Sequence, residues 1–322
     1  MELIDKHYMK IMNFYDNIGI KFNTKFIKIN SHIQIGGSNI KTFSARYRDN
    51  NYSFDYYKSV ETLDDHIVIF INKTDKEPLI NFINNISKAN IINKTDNKDL
   101  IKEYSVNNHC AMLSYSKHDQ TQLQIYIIEY CNKCIKTDKE IETKYKPSGT
   151  ILMKLIILFA KHHGFQSITL EDESKFYCKD SIVDNLRYEL KYVYTMTKGI
   201  PYYAKFGFVF VDQEQNLIME LNRNKMTKLK LDHLGLDVFV YLILNELVKN
   251  SSYRIYKYDF IKGIHNIMNI YKQSLENDSI TLMTFLNHIS YNECQIMCVI
   301  YHSLYRLFRL EYYTNNKMIL HL

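Results

Sequence analysis

The sequence predicts an α/β (α+β) protein, and three observations carry that prediction. A strand, a buried helix and a second strand follow one another between Leu123 and Glu171. Just before them, two β-branched and aromatic runs flank a polar turn, the pattern of a hairpin. Beyond Lys230, about 90 residues carry helical spacing. Three regions result: an N-terminal α/β extension over 1–98, a central core over 99–215 and a helical C-terminal domain over 216–322.

In the first region, Phe26 to Ile35 and His66 to Ile71 read as short strands, and Glu77 to Ser87 as a helix. The polar segment NKTDNKDLIKE then marks a boundary. From Cys110, AMLSYS, the turn KHDQT and QLQIYIIEY form the hairpin, followed by a lysine-rich loop from Cys131 to Lys146. ILMKLIILFAKHHG is apolar on nearly every side and too long for a strand, so it reads as a buried helix. Ser148 or Thr150 is placed to cap its start, and Gly164 suits the left-handed residue past its end. FQSITLEDES is a strand that starts buried and ends polar. Strand, crossover helix and strand make a βαβ unit with 123–129 and 165–171 parallel. LRYELKYVYTMTKG alternates like an extra strand. In IPYYAKFGFVFVD, Pro201 opens a short helix, Gly207 ends it and FVFVD closes as a strand.

With 9 Gly and 3 Pro in 322 residues, collagen and Gly/Pro-rich disorder are excluded. Hydrophobic residues at 46% are enough to build a core. The net charge of +6 fits solubility as well as a phosphate-bearing partner. Arg223, Lys225, Lys228 and Lys230 form a short basic run that reads as a solvated face, so no nucleic-acid partner is expected. No apolar run reaches membrane-spanning length and the N-terminus lacks a signal-like core, which predicts an intracellular, cytoplasmic protein without membrane contact. Free thiols are then expected at Cys110, Cys131, Cys134, Cys178, Cys294 and Cys298. Cys131-x-x-Cys134 has no second pair at matching spacing, so no metal is assigned. His162 and His163 close a helix, where a cation favours the dipole.

The order of elements from Leu123 to Phe208, with Ser148-Gly149-Thr150 before the helix and Tyr203-Ala204-Lys205-Phe206-Gly207-Phe208 after the second strand, resembles the acetyl-coenzyme-A-binding half of the GNAT family of N-acetyltransferases. The resemblance covers about 85 residues. It implies a mixed, mostly antiparallel sheet with one parallel, splayed βαβ unit. It also implies acetyl-CoA as co-substrate, its pyrophosphate held at the helix start by Ser148, Gly149 and Thr150. Where the family carries a second small residue, this chain has Ile151. Tyr203 matches the family's acid for the departing thiolate, and packing under the last helix is the alternative reading. Glu129, at the end of the first strand, matches the placement of a base that deprotonates an amine substrate. Glu171, Asp172 and Glu173 form a second acidic cluster at the end of the next strand. The competing class is a non-catalytic GNAT-like interaction or structural protein without cofactor binding. The helices around Val238, Tyr241, Leu242 and Leu244 and around Ile296, Val299, Ile300, Leu304 and Leu307 would then pack on the central region or on a protein partner.

Overall fold

The computed structural model describes residues 40–47, 50–58, 66–73, 109–128, 134–137, 149–178, 186–249, 257–275 and 281–322. They form a mixed α/β fold with a mostly antiparallel sheet and several helices. The expected strand Phe26–Ile35 and helix 77–87 lie outside the described residues. The chain divides into two units, Met1–Glu171 with Ile319–Leu322, and Asp172–Met318.

The first unit contains β1 (Ile40–Tyr47), β2 (Asn50–Lys58), β3 (His66–Asn72), β4 (His109–Ser116), β5 (Gln122–Ile128), β6 (Lys136–Thr137), α1 (Gly149–His162) and β7 (Ser167–Glu171). The strands lie in the order β1-β2-β3-β4-β5-β7, with β6 beside β2. Burial of Tyr52, Phe54 and Tyr56 on β2 follows the two-residue period of a strand with one covered face. On β3, Val68 to Ile71 are all buried, as in a strand covered on both sides. β5 and β7 are parallel, from Gln122↔Ser167 to Ile125↔Leu170, as the βαβ reading expects. Phe159 of α1 stacks edge-on against Phe43 and Tyr56, at ring-centroid distances of 5.5 Å and 4.9 Å. That contact seats the helix on β1 and β2.

Gly164 ends α1 as predicted. At φ 79°, it lets its own N–H bond the Lys161 carbonyl and the Phe165 N–H bond the Ala160 carbonyl. This is a complete Schellman closure. The dipole reading of His163 is corrected. Although its surface is exposed, desolvation on the inner side of the ring, with the charges of His162, Lys58 and Lys41, lowers its pKa to about 4, so it is neutral at pH 7. Its ring lies 4.3 Å from Phe159.

The second unit contains β8 (Lys175–Tyr177), β9 (Arg187–Glu189), α2 (Leu190–Lys198), β10 (Val209–Phe210), α3 (Gln213–Lys228), α4 (Leu236–Lys249), α5 (Lys257–Leu275), α6 (Leu282–Asn292) and α7 (Cys294–Leu307). β11 (Lys317–His321) is divided between the units. β8 and β9 pair antiparallel. The expected strand over LRYELKYVYTMTKG is a strand for only three residues and then becomes α2. Tyr192, Val193 and Met196 form a buried helical stripe, and Gly199 at φ 75° closes it. The alternation of tyrosines had concealed a helical spacing. Helix α3 carries little apolar periodicity, because two of its four buried residues, Gln215 and Asn222, are polar. Its start is capped by Asp212, which accepts from the Glu214 N–H at 2.9 Å. Phe239, Tyr271 and Phe285 pack together between α4, α5 and α6.

The expectation of free thiols fails at four positions. Cys110–Cys134 and Cys178–Cys294 are disulfides, with Cα atoms 5.6 Å and 5.7 Å apart. Sequence spacing cannot reveal such proximity, because the partners come from separate elements. Among the described residues, no helix is long and apolar enough to cross a membrane.

Candidate active site

The residues predicted to act fall into two groups, one in each unit. In the first unit, Gly149 is the first residue of α1 and Thr150 the second. Ser148 and Glu129 lie outside the described residues. A helix start directs its first N–H groups outward and favours an anion. The first turn of α1 holds no acidic side chain that would oppose one. The parallel ladder beside it stops at Ile125↔Leu170, although β5 runs on to Ile128 and stays paired with β4 through Ala111↔Ile128. Past Ile125, β5 keeps its antiparallel neighbour, and β7 itself ends one residue beyond Leu170.

In the second unit, the informative group is Asp172, the middle residue of the acidic cluster. Its neighbours Glu171 and Glu173 are exposed, whereas Asp172 is 1% exposed. Its Oδ1 accepts from the Ser174 hydroxyl and from the Ser174 N–H. Its Oδ2 is buried and has no hydrogen-bond partner among the described residues. The Asp172 N–H donates to the Asn316 carbonyl at 2.9 Å. The Asn316 side-chain oxygen in turn accepts from Lys191 Nζ at 2.9 Å. Lys191 is itself buried and pairs with Glu189 at 3.2 Å. Burial raises the Asp172 pKa from 3.8 to about 6, against the opposing pull of Ser174 and Lys191. A carboxyl group held there changes its charge near pH 6.

Tyr203 opens the 3-10 turn Tyr203–Phe206, closed by Gly207 as the sequence predicts. It is buried, with its ring 5.0 Å from Tyr202 and 6.1 Å from Phe208. Burial first, and then the charge of Asp172, push its phenol well above the usual value. Tyr203 therefore holds its proton at neutral pH. Behind these groups, Thr195 donates to the Lys191 carbonyl at 2.7 Å and meets the buried Tyr313 hydroxyl at 3.1 Å. The Asp172 charge also raises Tyr313, whose pKa is pushed up to about 12 mainly by burial.

Sequence reasoning named Asp172 only as part of an acidic surface, and it missed Lys191, Thr195, Asn316 and Tyr313 altogether. Asn316 and Lys191 are 125 residues apart. The one local signal was LEDES itself, a strand end where Ser174 stands two residues from Asp172 and fits an Asx-type turn. Comparison with protein-family models, with curated proteins and with solved structures finds no match to this chain.

Proposed function

We propose that the chain is a GNAT-like N-acetyltransferase that moves the acetyl group of acetyl-coenzyme A to an amine. The observation that carries this reading is the β5-α1-β7 unit. Its parallel ladder runs from Gln122↔Ser167 to Ile125↔Leu170, one residue short of the end of β7, and a glycine occupies the first position of its helix. In the family it resembles, a splayed strand pair leaves backbone groups for an extended thioester to bond, and a helix start without acidic residues suits its pyrophosphate. Ser148, Gly149 and Thr150 hold that end of the co-substrate. The attacking amine must lose a proton, and Glu129, next in sequence after Ile128, is the base assigned by resemblance. By the same resemblance Tyr203 is the donor to the departing sulfur.

Calorimetric titration with acetyl-coenzyme A tests the reading. The parent chain is expected to bind at micromolar concentration, and Gly149→Glu to abolish the heat by placing a carboxylate against the pyrophosphate. A folded parent that gives no heat overturns it.

A second reading, a GNAT-like interaction protein without catalysis, is favoured by α4. This helix buries Phe239 and Ile243 but exposes Val238, Tyr241, Leu244 and Val248 along one face, with Tyr241 64% and Val248 67% exposed. Of the two packing surfaces the sequence offered for Val238, Tyr241 and Leu244, the central region or a protein partner, the exposed face fits the second. Such a stripe is what a protein partner would cover. Absence of acetyl-coenzyme A binding, together with retained folding, is the result that favours this reading.

A further inference from the structure

Three cysteine sulfurs converge in the second unit. The Sγ atoms of Cys178, Cys294 and Cys298 all lie within 4.8 Å of one another. Cys294 is the first residue of α7 and Cys298 stands one turn later, so both project from the same helix face. Cys178 follows β8 and meets that face. Cys178 and Cys294 form a disulfide, while Cys298 is a buried free thiol 3.3 Å from Cys178 Sγ.

A disulfide uses two sulfurs and gives no role to a third held against it. A ligand that takes several sulfurs at once explains all three positions. We propose that, once the Cys178–Cys294 bond is reduced, Cys178, Cys294 and Cys298 bind one thiophilic divalent cation of the zinc class. Tetrahedral zinc at about 2.3 Å from each sulfur sets the sulfurs about 3.8 Å apart, within reach of side-chain rotation from their present places. Among the described residues, no fourth cysteine, histidine or carboxylate joins the cluster. Three protein ligands leave the fourth position to water or a small anion. The start of α7 favours negative charge on Cys294, and the cation supplies the charge that lets the buried Cys298 ionise.

The chemistry balances. A dithiol or phosphine reductant gives two electrons to the disulfide and is itself oxidised, leaving two thiols. Binding one divalent cation to the three thiols then releases three protons. Oxidation back to the disulfide removes two of the three ligands, so bound cation and disulfide exclude each other.

The test uses the full chain, reduced with a phosphine under nitrogen and titrated with zinc. Zinc is expected to slow alkylation of Cys178, Cys294 and Cys298 by about tenfold or more, read by mass spectrometry. Unreduced chain is expected to show no such zinc effect. Cys298→Ser should lose the shielding of Cys178 and Cys294. A folded, reduced chain in which zinc shields none of the three overturns the proposal, as does shielding that survives Cys298→Ser. Should that variant fail to fold, cobalt in place of zinc in the parent decides. Three thiolates per shielded cobalt in its charge-transfer band support the site, and fewer overturn it.

Discussion

Asp172 shows how much a single covered residue can decide. Unfolded, its carboxyl ionises near 3.8, and folded near 6. Between those values the folded chain holds the extra proton, so this group favours folding at low pH and opposes it once ionised above about pH 6. Asp172→Asn is therefore expected to raise stability at pH 8 by up to about 3 kcal/mol. The gain should shrink as pH falls through 6 and vanish below 3.8, as read from urea midpoints across that range. His163 has the opposite sign of effect. Its folded pKa near 4 lies below the unfolded 6.5, so its contribution is complete above pH 6.5 and is lost as pH falls toward 4. His163→Gln is expected to flatten that part of the stability profile in thermal melts.

At the scale of elements, α1 illustrates what a sequence can announce. Its apolar run, its length and its closing glycine are all local, and the helix forms where they place it. Its orientation is not local, because Phe159 is steered by Phe43, Phe54 and Tyr56 from β1 and β2. Phe159→Ala should cost about 3–5 kcal/mol through the cavity it leaves. Gly164→Ala meets no atom within 4 Å of the added Cβ, so its cost is the left-handed backbone alone, about 1–2 kcal/mol. Chemical denaturation of both variants checks the ranking. Helix α3 shows the reverse situation. Its inner positions hold Asn222, which donates to the Tyr305 hydroxyl and to the Glu311 carbonyl, so polar partners replace the apolar stripe that sequence reading relies on.

For the whole molecule, each disulfide lies within one unit, Cys110–Cys134 in the first and Cys178–Cys294 in the second. Their separations of 24 and 116 residues correspond to chain-entropy contributions of about 3.5 and about 5 kcal/mol. Cys134→Ala and Cys178→Ala are each expected to lower amide-exchange protection mainly in the unit that loses its link. Hydrogen exchange with peptide resolution reads this directly. Uniform loss over both units in either variant would contradict it. Zinc added to the reduced chain should restore part of the protection in the second unit.

The sequence by itself determined the features that depend on neighbours in the chain. These are the mixed fold class, the β5-α1-β7 unit, the glycine at the start of α1 and the left-handed stops at Gly164 and Gly207. Each follows from periodicity, turn chemistry or backbone freedom within a few residues. The tertiary structure alone decided which carboxyl of LEDES is buried and perturbed, which cysteines meet, and which face of α4 stays open. Those outcomes depend on residues brought together from far along the chain, as Asn316 is to Asp172 and Cys294 to Cys178. Desolvation and sulfur proximity are properties of that assembly, and no local pattern encodes them.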